Sequence, residues 1–229
     1  MILPQISLED LLSFSASLPS YSSDVVLDSR SVLGYFANLR QSAESIDPSS
    51  IEVATTINKI SSFLSSSNPA QICCANVFIS VLIQHLNYHD TSLLTTQLEV
   101  LMRNCITTLG KSLSELSQSS KLSMHTITLL CCFHLLFSIL LLTSNQLTLT
   151  HRPITLVEHG VSTFVQLLPS LSNHGFLLRL VCHQLHSCIF RMPLQFQQFF
   201  VSCLLRHLEG LPDVDLIQNF QSLLKKWNQ

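Results

Sequence analysis

The chain has 229 residues, a formal net charge of -2 and an apolar fraction of 47%, yet only 11% of its residues are charged, against about 25% in an ordinary soluble domain. Its twelve Lys and Arg are spread thinly, so no basic stripe exists to neutralise a run of phosphates and direct nucleic-acid binding is not expected. Its five glycines form none of the spacings GxGxxG, GxxxxGKS/T or GxSxG, which removes the phosphate cradle and the nucleophile elbow and leaves no small-molecule substrate in view.

Apolar residues recur at helical spacing along most of the chain, and no pair of segments reads as two strands, so the expected fold class is all-α. About ten helices are expected, starting near residues 8, 29, 48, 69, 92, 121, 153, 175, 193 and 213. Ser7 with Asp10 resembles a capping box. Asp47-Pro48 and Asn68-Pro69 have the cap-then-proline order that opens a helix. Val32, Phe36, Leu39 and Ala43 form one apolar face; Ala54, Ile57, Ile60 or Ser61, and Leu64 form the next. Further on, Pro153, Pro193 and Pro212 can open helices, while Gly110, Gly160 and Gly210 loosen or close them. The Ser-rich pieces Lys111 to Lys121 and Ser144 to Pro153 are expected to lengthen connections. At the C-terminal end, Asp213 and Asp215 precede an apolar stripe of Val214 or Ile217, Phe220, and Leu223 or Leu224. Lys225 and Lys226 follow in the last turn, an order that complements a helix dipole, and Trp227 caps the array or anchors a partner.

Helices one and three start roughly 40 residues apart, as do two and four, seven and nine, and eight and ten, the range of two-helix HEAT or armadillo units, and the period breaks in the middle. This likeness is one of spacing only. The expected architecture is one helical domain over residues 1–229, an irregular HEAT/armadillo-like array with a subdivision near 111–121 as an option. A compact helical bundle is the alternative.

Ile127 to Ser144, ITLLCCFHLLFSILLLTS, lies in a span from Leu122 to Thr150 without Asp, Glu, Lys or Arg. At 1.5 Å per residue it covers about 27 Å, slightly short of a bilayer core. Lys121 and Arg152 flank it without a one-sided positive bias, and no Trp or Tyr marks an interface. GFLLRLVCHQLHSCIF, Gly175 to Phe190, is nearly as apolar but carries Arg179 and two histidines, which would be costly in lipid, so it reads as a core helix of a water-soluble array. A helix buried among its own neighbours is therefore expected, with a single transmembrane helix at about 127–144 as the rival. His134 and Ser138 share a face and can bond each other or backbone.

All eight cysteines fall in apolar helical runs, where reduced thiols act as small hydrophobes. The opening MILPQISLED has too short an apolar run for a signal peptide, and no N-x-S/T sequon occurs; both point to an intracellular chain, cytoplasmic or nuclear. The best metal or nucleophile candidate is CHQLHSC. There Cys182 and His186 share a helix face, while His183 and Cys188 project elsewhere, leaving half a zinc site. His85 and His89 with Asp90 lack the glutamate of HExxH. Glu99 and Glu115 lie on polar faces, and Glu158 beside His159 reads as a solvated turn before Gly160. No catalytic, cofactor or metal residue is therefore assigned. The expected role is a non-enzymatic scaffold or adaptor subunit in an obligate hetero-complex, binding partner helices or peptides.

Overall fold

The computed structural model describes residues 25–45, 53–85, 91–117, 121–146, 153–211, 217–218 and 220–222. The protein is all-α: no strand occurs among the described residues. The helices are α1 (Ser29–Glu44), α2 (Val53–Ser61), α3 (Pro69–Leu82), α4 (Thr91–Ser117), α5 (Met124–Gln146), α6 (Pro153–Ser172), α7 (Gly175–Arg191) and α8 (Leu194–Leu208). Turns of 3-10 helix, Ser62–Ser65 and Ile83–His85, extend α2 and α3. By packing, the chain forms two compact units, residues 1–139 and 140–229. The expected helix start near 8 and the capping pairs at Ser7 and Asp47 lie outside the described residues.

In the first unit the starts follow local chemistry. The Asp28 carboxylate accepts the Ser31 backbone N–H at 2.7 Å and caps α1, which holds that carboxyl below its ordinary pKa. Asn68 accepts from Ala70 N–H at 3.0 Å with Pro69 in the first turn of α3, as cap-then-proline predicts. At α5 the exchange is reciprocal. His125 N–H donates to Ser123 Oγ at 3.3 Å and Ser123 N–H donates to Thr126 Oγ1 at 3.1 Å. The helix therefore begins at Met124, a few residues after the expected start near 121.

Lys111 to Ser117 is not part of a connection: it forms the last turns of α4. Leu113 and Leu116 are buried there, and burying two leucines outweighs the weak helix preference of the intervening serines. Exposed Gly110 also lies inside α4 and closes nothing; a Cβ added there would meet no atom within 4 Å.

Helix α5 belongs to this unit as far as Ile139, and three side-chain contacts fix that part. His134 meets the Phe36 ring of α1 edge-on at 5.6 Å. The Cys73 thiol of α3 lies 3.5 Å from Thr128 Oγ1, and the Cys105 thiol of α4 donates to the Cys132 carbonyl at 3.1 Å. Phe133 is wholly buried and stacks on Phe137 at 5.9 Å. In the neighbouring core helix Asn76 Nδ2 donates to Ile72 O at 2.8 Å and Ser80 Oγ to Asn76 O at 2.6 Å, while Asn76 Oδ1 is buried without a hydrogen-bond partner. Leu27 N–H bonds Leu122 O at 2.8 Å, tying the entry of α1 to the entry of α5.

The window Met124–Ser144 has a mean hydropathy of 2.2 and is 94% buried inside the protein. Its length and composition would suit a membrane span, and its burial suits a core helix. Ser138 is buried on it.

In the second unit, α6 packs on both α7 and α8, and α7 packs on α8. Phe164 of α6 meets the buried Phe220 ring at 6.0 Å, so the expected apolar stripe is seen at Phe220. Asp213, Val214, Asp215, Leu223, Leu224, Lys225, Lys226 and Trp227 lie outside the described residues. Glu158, His159 and Gly160 are within α6 and do not form a turn. Val157, Gly160 and Val161 are buried around them, so packing carries the helix through the glycine.

Candidate functional site

Helix α7 begins at Gly175 after His174 and ends at Arg191, where Met192 and Pro193 turn the chain in extended conformation into α8. Leu177, Val181, Cys182, Leu185, Cys188 and Ile189 face inward. These positions recur at three and four residues, so one side of the helix is committed to packing. The opposite side carries Arg179, His183, His186 and Phe190 at i, i+4, i+7 and i+11, a stripe roughly 16 Å long at 1.5 Å per residue.

This arrangement separates the CHQLHSC residues. Cys182 and Cys188 are buried, His183 is exposed, and His186 lies at the margin with its ring 4.6 Å from Phe190 in an edge contact. Burial pushes both thiols up to about 12, so each is a neutral thiol at physiological pH and a poor nucleophile or metal ligand. Among the described residues, no group of three or more His, Cys, Asp or Glu could hold a metal ion.

In the first unit Cys74, Cys131 and Cys132 are raised in the same direction. Burial raises Cys131 and Cys132 well above the ordinary range, with Cys73 and Cys105 respectively adding to the effect. It takes Cys74 to about 12. All eight cysteines are buried, and none of them is in a disulfide.

Other candidates fall into ordinary roles. Glu158 accepts from Arg206 at 2.9 Å on the surface of the second unit; the same guanidinium partly opposes the burial that raises the Cys203 thiol. Glu99 and Glu115 are exposed on α4. His85 closes a 3-10 turn, while His89 and Asp90 lie outside the described residues.

The corner between α7 and α8 differs from all of these. Phe190 is 61% exposed and Leu194 71% exposed, four residues apart on either side of the turn. The corner itself is rigidly bonded. Met192 N–H bonds Ile189 O at 3.0 Å, Gln197 Nε2 bonds Met192 O at 2.9 Å, and Phe196 and Gln197 N–H both bond Pro193 O. Two large apolar side chains are thus displayed on a fixed turn, with exposed Arg191 between them. Sequence reasoning passed over this pair because an apolar residue at a helix end reads as core; the i, i+4, i+7, i+11 stripe was the available signal. Comparisons with protein-family models, with curated proteins and with solved structures return no match for this chain.

Proposed function

We propose that this protein is a non-enzymatic scaffold or adaptor subunit that binds other proteins inside a larger intracellular complex, cytoplasmic or nuclear. The observation that carries the reading is the exposed Phe190 and Leu194 pair on a hydrogen-bonded corner. Aromatic and aliphatic anchors of this kind are the groups that dominate binding energy at protein interfaces. Val25, Val26, Leu33 and Val100 add further exposed apolar surface in the first unit. The sparse charge supports the same reading, because little like-charge repulsion keeps such a surface apart from a partner. The helix spacing is the ground for reading the helices as an irregular HEAT/armadillo-like array that presents helices or peptides with a binding face.

The test is purification of the intact chain from the cells that make it, followed by light scattering. The expected result is a particle heavier than one chain with a defined protein retained; a stable monomer with nothing retained overturns the reading. A single transmembrane helix at about 127–144 is the second reading, favoured by the length and hydropathy of Met124–Ser144 and opposed by its 94% burial. Retention in the membrane pellet after carbonate extraction would select it.

A further inference from the structure

Five of the eight cysteines lie in the first unit, and packing sets four of them in two pairs. Cys131 and Cys132 are neighbours on α5, so they point about 100° apart round the helix and cannot bridge each other without distortion. Each meets a thiol from a different helix instead. Cys131 hydrogen-bonds Cys73 of α3, and Cys132 hydrogen-bonds Cys105 of α4. Two further contacts hold the pairs in register. Cys73 Sγ lies 3.5 Å from Thr128 Oγ1, one turn of α5 before Cys131, and Cys105 Sγ donates to the Cys132 carbonyl at 3.1 Å. All four residues are 0% exposed, so each thiol faces its counterpart and not water. In the second unit the surroundings differ: burial alone acts on Cys182, and burial opposed by Arg206 acts on Cys203.

We infer that the first unit carries a redox-sensitive modification site of two disulfides, Cys73 to Cys131 and Cys105 to Cys132, formed by hydroperoxide oxidation of thiols that the packing of α3 and α4 on α5 already pairs. The thiolate of one member attacks a peroxide oxygen; the O–O bond breaks, the departing hydroxide takes up a proton as water, and a sulfenic acid remains on the sulfur. The facing thiol then attacks that sulfur. The S–O bond breaks, the thiol proton leaves with the oxygen as a second water, and the S–S bond forms. Each bond thus takes two electrons from two thiols and consumes one hydroperoxide. Because the second thiol is already in contact, the closing step is intramolecular, which favours the bond over further oxidation to sulfinic acid. Burial makes the site slow. It keeps the thiols of Cys131 and Cys132 protonated, so reaction waits on brief opening of the unit, and the same enclosure shields a finished bond from reductant. Oxidation would fix α3 and α4 to α5 covalently, so that these helices part only in the reduced chain. No partner is needed for this chemistry.

The test treats the intact chain with millimolar hydrogen peroxide, in buffer and in urea below its unfolding midpoint, where local opening admits the oxidant. Remaining thiols are blocked with N-ethylmaleimide in denaturant, and the tryptic digest is read by mass spectrometry without reductant. No Lys or Arg separates Cys131 from Cys132, so the expected product is three peptides joined through that pair, lighter by two hydrogens per bond and released by dithiothreitol. C131A should keep only the bond from Cys105 to Cys132, C132A only that from Cys73 to Cys131, and C74A both. The natural chain decides whether the bonds form even where a variant folds poorly. Its oxidised form should melt at least about 5 °C above the reduced form and return on reduction. An absence of joined peptides in both conditions overturns the site, as does sulfinic acid in place of a bond. So does a bond to Cys74, Cys182 or Cys203, or a melting temperature that fails to rise.

Discussion

Helices α5 and α7 use nearly the same alphabet, Leu, Ile, Phe, Cys and His, and end in opposite situations. In α5 the run CCFH is enclosed: Cys131, Cys132 and Phe133 are wholly buried, and His134 rests edge-on against Phe36. In α7 the run CHQLHSC is split, with cysteines inward and histidines on or near the surface. The difference is one of neighbours. Elements α1, α3 and α4 each touch α5, while α7 keeps a side on which Arg179, His183 and Phe190 meet solvent. An apolar helix is therefore not by itself a statement about location; the number of its faces that find a partner decides whether it is core or display.

The widest separation between the two helices is expected in stability. Phe133→Ala empties a fully enclosed aromatic site and should cost about 3–5 kcal/mol by urea unfolding. A loss below about 1 kcal/mol would mean that Phe133 is not in a tightly packed core. Next comes thiol chemistry. With Cys182 and Cys188 raised to about 12 from an ordinary 9.0, their thiolate fraction at neutral pH is about a thousandfold lower than that of a free thiol. Native-state alkylation should be slow by that order and become fast only on unfolding. Rapid labelling of either at neutral pH would contradict the packing of α7.

The same shift has a sign for stability. The folded thiols keep protons that unfolded ones lose, so their contribution is complete below pH 9.0 and declines as pH rises toward 12. The C182A/C188A double variant should therefore show a smaller fall in its urea midpoint across that interval than the natural chain. A smaller effect is expected at a helix start: Asn68→Ala removes the bond to Ala70 N–H and should cost about 1 kcal/mol in the first unit. The smallest is Phe190→Ala, whose ring is 61% exposed; stability should change by no more than about 0.5 kcal/mol. A large loss there would place Phe190 in the core and end its reading as an anchor.

The sequence carried the helical class, because apolar positions at three- and four-residue intervals are a property of the chain and need no partner to be recognised. It carried several starts for the same reason. Asn68 followed by Pro69 caps α3 through bonds made within two residues, and Pro153 and Gly175 stand where α6 and α7 begin. Local bonding also set limits. The serines after Lys111 suggested a connection, yet α4 runs through Ser117 because Leu113 and Leu116 are buried there, a gain that depends on residues distant in sequence.

What only the tertiary structure decided is which face of each helix is covered. Spacing alone puts Cys182 and His186 on one side of α7, but the margin of the buried surface passes between them, leaving an inert thiol within and an aromatic-contacting imidazole at the edge. Likewise, hydropathy makes Ile127 to Ser144 equally suited to lipid or to protein, and contacts from three other helices supply the enclosure. Periodicity is written in covalent order, whereas burial is a sum over neighbours brought close by folding. The exposure of Phe190 and Leu194 belongs to that second kind of information.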